Sequence, residues 1–502
     1  MFRWMRRGYQ LVFLALFFYL VLVTTASLIG GTPVWWFLAF DPLVALATAL
    51  ASRSLYHHLL WALPLIVVTL VFGRWFCGWI CPLGVLHHAI GWAARPRKAA
   101  QRLELNRWRR LYQTKYLVLL AMLGAAALGS TQIGLLDPIA FTWRALATSI
   151  VPAIDNSAFG LYQGERHFHA STLIAALFAV ALALNLWLPR LFCRMFCPLG
   201  ALLGLMSKLS LFRLVREPSV CKDCNLCGVD CAGAAEPHGT LRATECLLCM
   251  NCVYGCPRSG ISYRFLPAPD LVTDRLDLGR RRWVMAAVAG AAAVPLARAS
   301  DGVEPRPHPL RVRPPGAAAE QEFLARCIKC GACMKVCPTA ALQPALHEAG
   351  LEGLWSPILV ARLGYCEQAC VLCGQVCPTG AIRHLTVSEK VGQPPHQEPV
   401  RIGTAFIDRG RCLPWAMDTE CIVCEEVCPT SPKAIHFKLA EVVTRDGSTR
   451  QLKQPYVDPT RCWGCGVCET RCPVSDQAAI RITSVGESRD PRNRLLLGRD
   501  KV

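Results

Sequence analysis

Cys327-Ile328-Lys329-Cys330-Gly331-Ala332-Cys333-Met334-Lys335-Val336-Cys337-Pro338 is the stretch that decides how the chain is read. Three cysteines are separated by two residues each, a fourth follows after three more, and a proline closes the run. Thiolates at this spacing wrap a [4Fe–4S] cube, and in paired runs the fourth cysteine ligates the other cluster. A tight loop brings three ligands onto a small cube from several directions. The proline stops a helix from continuing through the fourth ligand.

The pattern recurs five times. Cys221, Cys224, Cys227 and Cys231 keep the spacing, with Ala232 in place of the proline. Cys246, Cys249, Cys252 and Cys256 end in Pro257. Cys366, Cys370, Cys373 and Cys377 end in Pro378, with one residue added in the first gap. Cys412, Cys421, Cys424 and Cys428 end in Pro429 after an enlarged first gap. Cys462, Cys465, Cys468 and Cys472 end in Pro473. Six quartets use 24 of the 28 cysteines, which sets the expectation at six [4Fe–4S] clusters. Zinc knuckles come as separated Cys pairs or mix Cys with His, and a disulfide framework belongs to small secreted domains. Neither pattern fits repeated quartets closed by Cys-Pro.

The hydrophobic share is 53% and the net charge +19. Residues 1–300 hold 29 Lys and Arg against 13 Asp and Glu, and residues 301–502 hold 25 against 22, so the excess belongs to the first part. No nucleic-acid motif accompanies it; it suits positive-inside loops of a membrane domain. Four apolar runs predict membrane helices over 9–30, 59–80, 116–136 and 171–188. Arg95, Arg97, Lys98, Arg102, Arg107, Arg109 and Arg110 place the loop between the second and third in the cytoplasm.

The runs form a tandem repeat. Arg6-Arg7-Gly8-Tyr9-Gln10 is echoed by Arg109-Arg110-Leu111-Tyr112-Gln113. Asp41-Pro42 is echoed by Asp137-Pro138, and Ala45–Thr48 by Ala145–Thr148. Cys77-x3-Cys81-Pro-Leu-Gly84 is echoed by Cys193-x3-Cys197-Pro-Leu-Gly200. Two helices per half predict a twofold axis along the membrane normal. On that axis Cys77, Cys81, Cys193 and Cys197 would form an extra thiolate site, act as redox dithiols, or merely pack.

Arg280-Arg281-Arg282 precedes the apolar stretch 286–297, and Ala297-Arg298-Ala299 resembles a small-x-small cleavage site. This reads as an internal twin-arginine export signal or as a fifth helix. The expected plan is a transmembrane domain over 1–217 and a cytoplasmic two-cluster module over 218–265. The signal or fifth helix follows at 279–299, then a Pro-rich linker with Pro305, Pro307, Pro309, Pro314 and Pro315 at 300–320. A periplasmic four-cluster domain at 321–484 and a polar tail at 485–502 complete it. In 218–265 the exchange rule groups Cys221, Cys224, Cys227 with Cys256, and Cys246, Cys249, Cys252 with Cys231. In 321–484 the pairing of quartets is open. Ala405–Asp408 and Ala479–Ile482 read as β-segments of small hairpins.

On the four apolar runs, the doubled Cys-x3-Cys-Pro-Leu-Gly and the quartets at 221–256, residues 1–265 resemble the NapH-type membrane ferredoxins of periplasmic nitrate reductase systems. On the twin arginines and four quartets, residues 279–484 resemble the exported NapG-type four-cluster ferredoxins and their relatives in methylamine utilisation. Nitrous-oxide reductase regulators and cytochrome-oxidase assembly proteins share the membrane motif. The resemblance implies a natural fusion: a four-helix tandem 2+2 membrane repeat, with a fifth helix or export signal and ferredoxin-like α+β modules. It implies a quinol dehydrogenase of the bacterial inner membrane that passes electrons from the quinone pool to a periplasmic reductase, dehydrogenase or c-type cytochrome. Haem, flavin and nucleotide motifs are absent from the sequence. Asp41, His57, His58 and Asp137, at expected outer helix ends, are the candidates for handling quinol protons. His87 and His88, just after Cys81, would assist the inner thiols or sit at the interface. A competing reading is a maturation factor whose Cys-x3-Cys-Pro thiols reduce or deliver a metal. A weaker one is a structural anchor for a periplasmic partner.

Overall fold

The computed structural model describes residues 2–94, 98–156, 166–239, 241–266, 280–299, 308–394, 398–444 and 447–493. Arg95 and Arg97 of the basic loop, Pro305 and Pro307 of the linker and the tail from 494 onward lie outside the described residues.

The four-helix membrane tandem is corrected by the helix lengths. Among the described residues one helix, α1 (Phe2–Val23), is long and apolar enough to cross a membrane by length and composition. The second apolar run breaks into α3 (Ala62–Phe72), after the short α2 (Pro42–Ser52), and α4 (Trp75–Trp79). The break is Gly73, at φ +87°, a conformation that residues with a side chain rarely adopt. The chain then turns at Cys81-Pro82 into α5 (Pro82–Ala93). The third run yields α6 (Thr114–Ala127), which ends before Gly129 at φ +82°. After α7 (Pro138–Ala145), the fourth run yields α8 (Ser171–Trp187), about 25 Å long against a hydrocarbon core of about 30 Å. Then come α9 (Leu191–Met195) and α10 (Pro198–Met206). Hydropathy counts unbroken apolar runs, but Gly73 divides the second and Gly129 follows the early end of the third, while the fourth forms one helix of 17 residues.

The echoed dipeptides recur as matching local structures. Asp41 and Asp137 cap α2 and α7, each with one carboxylate oxygen accepting two backbone N–H bonds and a proline in the first turn. Cys81 and Cys197 stand at the N-caps of α5 and α10, again before proline. The twin-arginine segment is the helix α11 (Arg280–Ala299), packed along α6. A Cβ on Gly124 would lie 2.2 Å from the Ala287 oxygen, and one on Gly290 1.8 Å from that of Ala121, so the crossing needs glycine on both helices. At its end Arg298 pairs with Glu352 of the C-terminal domain at 2.8 Å.

Two iron–sulfur-type modules dock at opposite ends of this helical domain. At the start of α6, Lys115 pairs with Glu245 and the Tyr116 hydroxyl donates to Glu245 at 3.0 Å. The first module is closed by the antiparallel pair β1 (Phe212–Arg216) and β2 (Ile261–Phe265). Beyond the other end of α6, the Thr131 N–H donates to the Leu324 carbonyl at 3.2 Å, and Arg144 donates to the carbonyls of Gly134 and Lys329. Gly134 sits so close to the C-terminal domain that a Cβ would lie 1.7 Å from the Ile328 oxygen. One hydrophobic core runs from Phe17, Leu43 and Trp143 through Phe323, Ile328 and Met334 into the C-terminal domain.

In that domain β3 (Leu342–Pro344) pairs with β4 (Pro357–Leu359), and β6 (Ile435–Val443) with β7 (Thr449–Val457). The two segments read as local hairpins instead pair with each other: β5 (Thr404–Ile407) lies antiparallel to β8 (Ile480–Thr483). That long-range pair closes the second half of the domain.

Candidate iron–sulfur centres

Each quartet loop is short and ends in a single helical turn, so its first three thiols face one space. The fourth comes from the neighbouring run in every module. Cys327, Cys330 and Cys333 line a cavity with Cys377. Cys366, Cys370 and Cys373 lie in electrostatic reach of Cys337. Cys412, Cys421 and Cys424 line a cavity with Cys472. Cys462, Cys465 and Cys468 lie beside Cys428. The open question of pairing is thus answered in space: first run with second, third with fourth. In the first module Cys221, Cys224 and Cys227 line a cavity with Cys256, and Cys246, Cys249 and Cys252 lie beside Cys231.

These donor sets fit iron–sulfur cubes. Backbone N–H groups point at the sulfurs: Ala235 to Cys231 at 3.2 Å, Gly260 to Cys256 at 3.3 Å, Ala405 to Cys462 at 3.4 Å. Loss of hydration on burial pushes the thiols up, Cys327 to about 11 and Cys330 to about 12, and the neighbouring Cys377 adds to the rise. A bound cationic iron–sulfur core removes that penalty. Among the described residues no three His, Cys, Asp or Glu side chains close around a single ion. Quartets of the two C-terminal halves adjoin, the Cys366 N–H donating to the Cys465 carbonyl at 2.8 Å. Lys390, buried, donates to the Cys366 sulfur at 3.2 Å.

The repeat brings Cys77, Cys81, Cys193 and Cys197 together. Cys197 lies in electrostatic reach of the other three, and Cys81 and Cys197 are buried. Two arginines flank the set, Arg74 and Arg190, the second of which reads along the chain only as one of several basic residues after the fourth apolar run. Arg74 Nε donates to the Cys77 sulfur at 3.3 Å, and Arg190 Nη1 to the Cys77 carbonyl at 3.3 Å. Both are nearly fully buried. The signal was available: each precedes its first cysteine by three residues, extending the repeat to Arg-x2-Cys-x3-Cys-Pro-Leu-Gly. The closing glycines are required by space. A Cβ on Gly84 would lie 2.8 Å from the Cys77 oxygen, and one on Gly200 2.5 Å from Arg74 Nη2. Arg74 Nη1 also donates to the Thr244 carbonyl at 3.1 Å, which ties the thiol set to the loop that begins the Cys246 quartet.

Of the residues expected to handle quinol protons, Asp41 and Asp137 are fully buried and reach each other. Each leaves Oδ2 without a donor from elsewhere. Burial pushes both carboxyls up, and for Asp41 the neighbouring Asp137 adds to the rise. His57 and His58 sit apart from them, His58 stacked on Trp35 at 3.7 Å. The adjoining Tyr56 lies so close to Gly380 of the C-terminal domain that a Cβ there would meet its ring at 2.7 Å. The four residues do not form one site.

A family model described as a 4Fe-4S binding domain matches residues 55–100 and 168–216, the stretches that carry the four repeat cysteines. A second, a 4Fe-4S dicluster domain, matches 326–381 and 419–475. The chain is 38% identical over 174 residues to the methylamine utilization ferredoxin-type protein MauM of Methylorubrum extorquens, 34% of this chain and 71% of that protein. It is 35% identical over 209 residues to the ferredoxin-type protein NapG of Escherichia coli, 41% of this chain and 85% of that one. A putative electron transport protein, YccM of Escherichia coli, is 31% identical over 196 residues, 38% of this chain and 51% of that protein. No solved structure matches.

Proposed function

We propose, for a chain that belongs to the ferredoxin-type family of NapG and MauM, that it is a quinol dehydrogenase of a bacterial inner membrane. Its electrons would leave for a periplasmic reductase, dehydrogenase or c-type cytochrome. [4Fe–4S] groups, when bound, supply one-electron transfer without proton chemistry of their own. The 24 quartet cysteines would hold six of them, and Cys77, Cys81, Cys193 and Cys197 a seventh iron–sulfur group.

The position of that repeat thiol set carries the reading. Arg74 joins it to the Cys246 module. On its other side Cys81 lies in electrostatic reach of Asp137, Asp137 of Arg144, and Arg144 of Cys327 and Cys330. A cytoplasmic and a periplasmic module on either side of a hydrocarbon core would be about 30 Å apart, too far for a direct electron hop. The helix between the docking points, α6, is only about 21 Å long, and a thiol set stands between the modules.

Membrane attachment rests on α1 and on apolar side chains left facing outward. Leu11, Val12, Leu63, Val67, Leu173, Val180, Val284 and Val288 are all exposed. Exposed apolar side chains on several helices are what a lipid-facing surface would require. The twin-arginine helix α11 would put the C-terminal domain in the periplasm. The maturation reading is disfavoured by the burial of Cys81 and Cys197 behind Arg74, since a thiol that hands over a metal must be reached.

The test is anaerobic addition of a quinol analogue to the purified protein, followed by electron paramagnetic resonance and visible bleaching. Reduction of the clusters is expected. Clusters that respond to dithionite and to no quinol would refute the assignment.

A further inference from the structure

A cavity of about 130 Å³ lies at the end of the helical domain that carries the first cluster module. Its walls include Arg6 of α1, His87 and Trp92 of α5, Arg190 before α9, and Asp230 and Asn251 of the module. We propose that this cavity, and not the Asp41–His58 end, receives the quinol head group; this rests on the quinol reading above.

His87 is the first observation. The residue is fully buried, yet neither ring nitrogen has a hydrogen-bond partner among the described residues. A buried imidazole without a partner is costly unless a ligand supplies one. Its backbone is fixed by Asn185, whose amide donates to the His87 carbonyl at 2.6 Å, and its ring stacks near Phe192. A hydroxyl on a ligand ring can donate to His87, while the Arg190 side chain offers donors to the oxygen once it becomes a carbonyl. A ring with oxygen at both ends is the chemistry of a quinol–quinone couple. A space of this size is close to that of a cavity that takes up one benzene ring, about 150 Å³.

The second observation is position. Arg190 touches the Cys77 carbonyl, and Arg6 donates to the Cys249 carbonyl at 2.6 Å. The cavity therefore lies between the repeat thiols and the Cys246 quartet, beside two thiol sets at once. Its lipid side is marked by indoles. Trp92 is exposed, as are Trp4 near the start of α1 and Trp187 at the end of α8, just before the cavity-lining Pro189. Exposed tryptophans are the usual dress of a membrane interface. An isoprenoid tail would enter from that side. The reaction would be two-electron oxidation of a quinol to a quinone, with two protons released and iron–sulfur groups as the electron acceptors.

The experiment measures binding separately from turnover. Titrate the cluster-loaded full chain in detergent with decylubiquinone by calorimetry, and follow cluster reduction by decylubiquinol in the same preparations. His87→Leu is expected to weaken binding at least tenfold, and Trp92→Ala about threefold. Trp92 is exposed, so its variant tests the cavity even if the buried one fails to fold; the cluster spectrum reports folding for both. If wild type is reduced by quinol but both variants bind as it does, the cavity assignment falls and the quinol reading stands. A loss with His58→Ala and not with His87→Leu overturns it as well. If wild type neither binds nor is reduced, both readings fail. Calorimetric binding of phosphatidylglycerol, with none of decylubiquinone, would make the cavity a lipid head-group site and overturn the proposal.

Discussion

The Cys221 and Cys327 quartets share a spacing and differ in setting. Cys224 is exposed, and Cys221, Cys227 and Cys256 are half-buried at the outer edge of the first module. Cys327, Cys330 and Cys333 are buried against α7 and its continuation, with Arg144 over the loop and Gly331 against Thr148. The same motif is thus open to the surface in one place and sealed by another domain in the other. Spacing selects the ligand; docking decides who can reach it.

Cys330→Ser should break this contrast most severely. It removes a buried ligand and leaves a cluster cavity inside a shared core, so iron content and thermal stability should fall together. Cys224→Ser should lose the same amount of iron with little change in melting temperature. Equal destabilisation by the two would mean that docking adds nothing to the Cys327 site.

Gly134→Leu sharpens the point without touching a ligand. The new side chain would collide with the Ile328 backbone, at a cost on the order of 3 kcal/mol if the domains stay docked. Hydrogen exchange in the Ile328 loop should then accelerate while the first module's cluster signals remain.

Arg74→Leu acts on charge. Removing a buried guanidinium beside the repeat thiols should make the midpoint potential of the group they hold more negative. The shift should be on the order of 100 mV, as expected for one charge a few ångströms away at an effective dielectric near 20. Redox titration followed by electron paramagnetic resonance reads it; an unmoved potential would detach Arg74 from the site.

The smallest effect is expected at Glu320, which ties Arg313, Arg311 and Arg489 together at the edge of the C-terminal domain. Burial alone would push its carboxyl up; the three arginines outweigh that and hold it well below the usual range. A carboxyl depressed on folding contributes stability above its unfolded value near 4.5, and that contribution is lost as pH falls. Glu320→Gln should cost on the order of 2 kcal/mol at pH 7 and flatten the loss of stability below pH 4.5, read by denaturant titration across pH.

Much of the chemistry was legible along the chain because a cube's ligands are mostly local. Three of the four thiols in each quartet lie within a few residues, so spacing names them, and the exchange of the fourth follows from pairing neighbouring runs. The repeat of Asp41-Pro42 in Asp137-Pro138 and of the Cys-Pro-Leu-Gly motif was visible as well. What it built was not. Two carboxyls read as outer-surface proton acceptors became buried helix caps that meet, because the repeat folds its halves onto each other.

Helix length was misread for a related reason. A hydropathy window sees Leu59 to Ile80 as one apolar run, while Gly73 breaks it and sends the chain into a turn that carries Cys77 and Cys81. β5 and β8 were recognisable as strands, but not as partners across more than seventy residues, since pairing depends on which edges the cluster loops leave free.

The iron–sulfur chemistry, the number of quartets and the tandem repeat are legible along the chain, because thiolate spacing and local motifs are properties of a short stretch. Only the tertiary structure decided how the quartets pair in the C-terminal domain, which of them are sealed, that two arginines guard the repeat thiols, and where an unpartnered histidine faces a cavity. Each of those depends on chain segments far apart in sequence meeting in a shared dry interior, where burial sets the cost of every charge and every unpaired polar atom.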